Sequence, residues 1–511
     1  MLEDLAAAMA LVFQWENFFW VFVGVSCGII IGSIPGLTDT MAIALLLPFT
    51  FYLGVIPGIA MLMGLSKGGN YGGSVTAILF NIPGSAQNLF TTFDGHPLAK
   101  QGKSGKALKG ALFGSVAADT MSDVIVILLA APIAILALKV GPPDYSMLIM
   151  FALVLIAVAA TSDAWRGLLS VSLGLLLACV GTDPMSGTMR FTFGVIDLLE
   201  GFALMSLVIG TLAFSEVLRQ AEIHFRERNA KAKGAVANDT NEEVVSTDPD
   251  AHRLTATEIR AAIPTLLRST AIGTIIGIIP GIGNTVIAYL SYLAARKCSP
   301  HPERFGKGEL NGVIAAEAGS NAAVGPNIIP LITLGIPGNL AAALILGAFM
   351  IKGLIPGPGF MQENAPMLYA LFIVLLLSNF FTAVVGYLYI SRARQLSNVP
   401  KTSLYACILI FTCMGSFVFN TSFFDVWIMF AFGLFGYACI KLQLNLPALI
   451  VAFFLGDLFE TKFRRTLAIH GDWTVFFTRP LSLVFITITV LVIIIYLWKI
   501  RPGASSEKPL A

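Results

Sequence analysis

The sequence predicts an all-α polytopic membrane protein built from two pseudo-symmetric halves. Three observations predict it: an apolar composition that no soluble fold could bury, a series of helix-length apolar runs, and an internal repeat centred on Pro-Gly pairs. The 511 residues are 56% hydrophobic and 12% charged, with a mean hydropathy of +0.81. Soluble monomers rarely expose apolar patches beyond roughly a few hundred Å². A bilayer solvates such side chains directly, and each crossing takes roughly 20 mostly apolar residues.

The plainest runs are 149–160, 168–180, 202–214, 368–385, 427–439 and 481–498. With the interrupted segments they predict about ten to twelve crossings. The first run follows Glu3 and Asp4 with no basic segment, so it is expected to be a retained helix and not a cleavable signal. The stretch 219–260 contains RERNAKAKGAVANDTNEEVVSTDPDAH. It lacks apolar periodicity and is expected to be a cytoplasmic linker. The expected organisation is therefore an N-terminal membrane half at 1–218, the linker at 219–260, a C-terminal half at 261–500 and a tail at 501–511.

The repeat lies in those halves. Gly28-Ile-Ile-Ile-Gly32-Ser-Ile-Pro35-Gly36 matches Gly273-Thr-Ile-Ile-Gly277-Ile-Ile-Pro280-Gly281, and Thr40 recurs as Thr285. A second pair follows in the same order, Asn81-Ile-Pro83-Gly84-Ser85 against Gly335-Ile-Pro337-Gly338-Asn339. Recurrence of both motif and order marks an internal duplication. Glu3, Asp4 and Glu16 precede the first copy, whereas Arg253, Arg260 and Arg268 precede the second. Lys100, Lys103, Lys106 and Lys109 follow the first Ile-Pro-Gly, while Lys352 is the one base near the second. Basic segments stay cytoplasmic, so the two copies are expected to be inverted.

A Pro-Gly pair breaks an apolar helix, because proline lacks an N–H and clashes with the preceding turn. In lipid the freed backbone groups survive only where protein or a wet cavity satisfies them. The resulting half-helices present bare N–H groups that suit carboxylates. Unwound carbonyls suit a hard cation such as Na⁺, and paired breaks in related halves point to a transport site. One Pro-Gly pair alone is more often a packing kink; four in order favour function. The candidate substrate- or cation-binding residues are Pro35, Gly36, Thr38, Asp39, Thr40, Asn70, Gly73, Ser74, Asn81, Pro83 and Gly84. Their second-half counterparts are Pro280, Gly281, Asn284, Thr285, Asn321, Asn327, Pro337, Gly338 and Asn339. Asp39 and Lys67 could equally sit at a membrane surface or in a structural pair. Asp94, Asp119 and Asp123 are expected to be interfacial or structural, and the Gly24/Gly28/Gly32/Gly36 stripe to serve tight helix packing.

Other classes find no support. A net charge of +2 without a sustained basic face excludes a nucleic-acid binder. Six scattered cysteines have no metal or disulfide spacing. No nucleophile–base pattern, H-E-x-x-H or phosphate loop is present, so neither an enzyme nor a bound cofactor is expected.

At Tyr71-Gly-Gly-Ser-Val-Thr-Ala-Ile-Leu-Phe-Asn-Ile-Pro-Gly84, Asp94-Gly-His-Pro-Leu-Ala-Lys100, Arg190-Phe-Thr-Phe-Gly194, Pro302-Glu-Arg-Phe-Gly-Lys-Gly308 and Thr333-Leu-Gly-Ile-Pro-Gly338, the chain resembles the large permease subunit (TctA type) of the tripartite tricarboxylate transporters. The likeness spans roughly residues 15–465. It implies a secondary symporter for small di- or tricarboxylates in the bacterial inner membrane, driven by Na⁺ or H⁺. It also implies two partners, a small membrane subunit (TctB type) and a periplasmic solute-binding protein (TctC type). The chain departs from the family pattern at Thr38-Asp39-Thr40, at Ala316-Glu317-Ala318-Gly319-Ser320-Asn321 and at Asn284-Thr285. These lie at the expected site, so the resemblance implies a substrate class and not citrate in particular. A passive anion channel shares the same hydropathy and is the alternative.

Overall fold

A computed structural model of the chain describes residues 2–34, 37–159, 164–232, 252–357, 359–393 and 401–500. The expected tail at 501–511, residues 233–251 of the expected linker and the Pro35-Gly36 break lie outside the described residues. What is described of the polar stretch is helical at both ends: Ser215–Ala232 runs into it and Ala256–Gly277 leaves it.

The fold is almost wholly α-helical; a two-residue antiparallel pairing of Gly181–Thr182 with Met189–Arg190 forms the one β-hairpin among the described residues. Among the described residues, six helices are long and apolar enough to cross a bilayer: Trp15–Gly32, Ser104–Leu129, Leu204–Ile223, Ala256–Gly277, Asn364–Ile390 and Phe423–Lys441. Six more are apolar but shorter, so the expected ten to twelve crossings are approached only by counting them. Asp39–Tyr52 and Leu340–Ile351 are short because each begins just after a break.

Helix directions establish the inversion. Along Ser104–Ala137 and Leu310–Ala322, Gly110 faces Leu310, Gly114 faces Ile314 and Ser122 bonds the Ala322 carbonyl, so these helices run parallel. Phe360–Ile390 runs against Ser104–Ala137, with Gly386 at Leu112 and Asn379 at Asp123. Val55–Phe80 runs with Phe360–Ile390, since Lys67 meets Asn379 and Tyr71 meets Gly386. Val55–Phe80 is therefore antiparallel to Leu310–Ala322, its counterpart in the repeat.

Each half opens with a helix packed on the next long one through glycine. A Cβ on Gly24, Gly28 or Gly32 would lie 2.1–2.5 Å from carbonyl oxygens of Met61, Leu65 or Gly69. Gly64, Gly68 and Gly72 answer from the other side, 2.3–2.8 Å from Val21, Val25 and Ile29 oxygens. In the second half, Gly273 meets the Gly319 carbonyl and Gly277 meets Ala323. The stripe thus brings backbones together. Glycine inside a helix costs about 0.5–1 kcal/mol relative to alanine, and here close packing offsets it.

The halves differ in one respect. Val55–Phe80 is a continuous helix of 26 residues. Its counterpart divides into Leu310–Ala322 and Ile328–Leu334, joined by a non-helical turn at 323–327. Pro326 stands where the first half has Gly72, and proline cannot continue the hydrogen-bond ladder.

Candidate functional site

The Ile-Pro-Gly motifs end their helices in the same way. Asn81 (φ 56°) and Gly335 (φ 65°) are both left-handed caps, a conformation that glycine and asparagine tolerate. The chain then doubles back. Gly84 N–H donates to the Gly73 carbonyl at 3.2 Å, and Gly281 N–H donates to the Gly338 carbonyl at 3.0 Å. A Cβ on Gly84 would overlap Gly73, and one on Gly338 would lie 2.5 Å from Asn327 Oδ1. Gly73 and Asn327 therefore hold equivalent places, each 11 residues before its Gly84 or Gly338. In this register Asn321 corresponds to Lys67, and Asn70 to Val324.

Amides join the two halves. Asn70 Nδ2 lies 3.4 Å from Ser320 Oγ, and Asn284 Nδ2 donates to the Ser320 carbonyl at 3.3 Å. Asn284 Oδ1 accepts from Asn327 Nδ2 (2.9 Å) and Asn339 Nδ2 (3.2 Å). Asn339 Oδ1 caps Leu340–Ile351 by accepting from Ala342 N–H. On the first-half side, Gln87 Nε2 donates to Asn70 Oδ1 at 2.7 Å, and Asn88 Nδ2 donates to Ser74 Oγ at 3.0 Å. Asn327 and Asn339, with Met63, Ser66 and Val324, line a cavity with room for about one water.

Buried carboxyls flank this network. Glu317 accepts from Thr91 Oγ1, from Ser115 Oγ (3.1 Å) and from Asn321 Nδ2 (3.4 Å). Lys67 Nζ lies 2.8 Å from Asp119 Oδ2 and 2.5 Å from Asp123 Oδ2, and it donates to Asn379 Oδ1 at 3.0 Å. All four ionisable residues are 3% exposed or less. Several kcal/mol attach to each unpaired ion in such surroundings.

The predicted residues fall into groups. Asn70, Ser74, Asn284, Asn327 and Asn339 come together, and Pro280, Pro337 and Gly338 lie buried among them. Thr38 caps Asp39–Leu46 by accepting from Met41 N–H and bonds Thr40, which gives both a local helix-capping part. Asp39 is buried, its Cβ lying where a side chain on Gly69 would be. Asn81 is exposed, Pro83 and Thr285 are half-buried, and Pro35 and Gly36 lie outside the described residues. Lys67 is buried in an ion cluster and not at a surface.

Sequence reasoning missed Gln87, Asn88, Thr91, Ser115 and Asn379; of the two alternatives it gave for Asp119 and Asp123, interfacial or structural, the buried pairing with Lys67 excludes the interfacial one. The signal for the aspartates was present: two carboxylates four apart share one helix face inside an apolar segment. Asp94 is structural as expected; it accepts from Tyr292 and from the N–H groups of Gly306, Gly308 and Glu309. On the opposite face, a cavity of about 720 Å³ walled by Tyr145, Arg190, Phe202, Phe360 and Lys462 reaches Gly335, the cap of the second break.

Inverted halves whose paired helix breaks share a buried polar interface define a membrane transport protein. The chain belongs to the Tripartite tricarboxylate transporter TctA family, whose profile matches residues 18–451, and is thus the large subunit of such a transporter. It is 33% identical over 484 residues to an uncharacterized 52.8 kDa protein in the TAR-I ttuC' 3' region of Agrobacterium vitis, covering 94% of this chain and 93% of that one. A second Agrobacterium vitis protein, uncharacterized and in the TAR-II ttuC' 3' region, is 32% identical over 211 residues, 41% of this chain and 87% of its own length. No solved structure matches the chain.

Proposed function

We propose that this subunit imports small di- or tricarboxylates by cation symport with Na⁺ or H⁺ across the bacterial inner membrane. A periplasmic solute-binding protein (TctC type) delivers the substrate, and a small membrane subunit (TctB type) completes the complex. The observation that carries this reading is the meeting of the two breaks through Asn70, Ser320 and Asn284. A carboxylate held there is bonded by amides and half-helix N–H groups from both halves. Relative movement of the halves then changes which face reaches it. The breaks differ in access: Asn81 and Ile82 are exposed, whereas Ile336, Pro337 and Gly338 are buried. In an inverted repeat such a difference supports alternating access, in which the two halves exchange these environments.

The face bearing Lys100, Lys103, Lys106, Lys109, Arg253, Arg304 and Lys307 is the cytoplasmic one by charge. The face bearing the 181–190 hairpin and the 720 Å³ cavity then receives substrate. The test is citrate uptake into proteoliposomes containing the three subunits. Accumulation that requires an imposed cation gradient and the binding protein supports the reading. Equilibration without accumulation, indifferent to both, supports a passive channel instead.

A further inference from the structure

We propose that Lys67, Asp119 and Asp123 form a proton-binding site that makes this carboxylate symport proton-driven; the inference rests on the symport reading and specifies its coupling ion. The cluster holds one cation and two carboxylates, so it carries one negative charge too many when all three are ionised. Its hydrogen-bond inventory is equally unbalanced. A lysine ammonium has three protons, and Lys67 directs its contacts at Asp119 Oδ2, Asp123 Oδ2 and Asn379 Oδ1. Asn379 Nδ2 also donates to Asp123 Oδ2, at 2.7 Å. The other carboxylate oxygens, Asp119 Oδ1 and Asp123 Oδ1, are buried without a partner. A buried acceptor without a donor and a buried charge without a counter-charge are both costly, and one proton on either aspartate removes the excess charge.

The site favours a proton over Na⁺ on geometry. The ammonium already occupies the position between the two carboxylates that a metal ion would take. A hard cation also needs several oxygen ligands at once.

The position suits coupling. Lys67 comes from Val55–Phe80 and the aspartates from Ser104–Ala137, while Asn379 comes from Phe360–Ile390 of the second half. Asp123 Oδ1 lies against Gly325, where a Cβ would be 2.2 Å away. Gly325 belongs to the 323–327 turn, which also carries Asn327 of the amide network. One turn along the aspartates' helix, Ser115 bonds Glu317 of Leu310–Ala322, and beside Asp123 the hydroxyl of Ser122 accepts from Thr274 of Ala256–Gly277 at 2.9 Å. A change of charge between Lys67 and the aspartates therefore alters packing against the turn that presents Asn327. The proton enters from bulk water on one face and leaves to bulk water on the other as the substrate moves, so charge and atoms balance with no further reactant.

Two measurements test this. The first is pH-difference infrared spectroscopy of the purified Glu317→Gln protein, in which another buried carboxyl, one that also reaches the aspartates' helix through Ser115, is removed. A protonated-carboxyl band that titrates within about pH 5 to 9 and disappears in Asp119→Asn or Asp123→Asn supports the site. Absence of the band, its persistence in both Asn variants, or its loss on adding NaCl at constant pH overturns it. Should both Asn variants fail to fold, Asp119→Glu and Asp123→Glu, which keep a carboxyl in the cluster, should move the band, and a band unmoved in both overturns the site. The second is citrate uptake by the three-subunit proteoliposomes in sodium-free buffer. A pH gradient should drive accumulation, and Asp119→Asn should lose the accumulation while keeping citrate counterflow. Accumulation driven by a Na⁺ gradient without proton movement overturns the proton site and leaves symport intact. No uptake of citrate or of any other small di- or tricarboxylate in a panel, under any gradient, refutes symport, and the infrared result then stands or falls separately.

Discussion

Asn70 and Ser320, from opposite halves of the repeat, lie 3.4 Å apart and form the direct side-chain bridge between the two broken-helix motifs. Asn70 also accepts from Gln87, so it joins the first-half break to the second-half helix that precedes the 323–327 turn.

Asn70→Ala should weaken citrate binding. It leaves a bound carboxylate group without one of its partners, at about 1–3 kcal/mol, which is roughly a 5- to 150-fold rise in Kd. Asn321 occupies the register of Lys67 and bonds Ser115 and the Glu317 carbonyl at 3.0 and 2.9 Å. Asn321→Ala should therefore lower the melting temperature more than the affinity. Calorimetric titration with citrate beside melting curves separates the two. Equal behaviour of the variants would contradict the register.

Single cysteines at Glu16 and Glu303, in a background without native cysteines, should react with a membrane-impermeant maleimide from opposite sides. Glu16 begins Trp15–Gly32, and Glu303 lies in the loop before Leu310–Ala322. Labelling of both from one side would be incompatible with the inverted arrangement.

Gly68→Ala places a methyl 2.3 Å from the Val25 carbonyl oxygen. Overpacking of this kind costs about 1–3 kcal/mol and should appear as a lower melting temperature in detergent. Gly357→Ala meets nothing within 4 Å and should stay within about 0.5 kcal/mol of the parent. Comparable losses in both would remove close backbone approach as the reason for the stripe.

Asp183 ties the 181–190 hairpin to Leu446–His470. Its carboxylate accepts from Arg464 Nη1 at 2.6 Å and from the N–H groups of Met185 and Ser186. The Arg464 guanidinium in particular holds its pKa well below the usual carboxylate range. A depressed folded value contributes stability that is fully present above the unfolded pKa of about 4 and is lost as pH falls through the folded one. Wild type should therefore melt above Asp183→Asn by a constant margin from neutral pH down to about 4, narrowing only in stronger acid. A margin that closed near pH 6 would place the stabilising charge elsewhere.

Much of this protein was legible in the chain. Apolar run length alone gives membrane helices, because each crossing must satisfy its own backbone. Pro-Gly recurrence gives the duplication, and the charge bias before each copy gives the inversion that the helix directions confirm. Asn284, Asn327 and Asn339 could be singled out because polar side chains beside a break in lipid need partners.

What the sequence could not supply is the register between elements distant in the chain. Asn70 and Asn321 look equivalent by their distance from the breaks, yet packing of Gly32 on Gly69 and of Gly277 on Ala323 shifts them by three residues. Lys67, Asp119, Asp123 and Asn379 are spread over more than 300 residues, and nothing local says that they meet. Glycine, proline and hydropathy act through neighbouring residues, so one chain reveals them. Whether a buried charge finds its counter-charge depends on which helix faces pack, and that is decided only when the two halves close on each other.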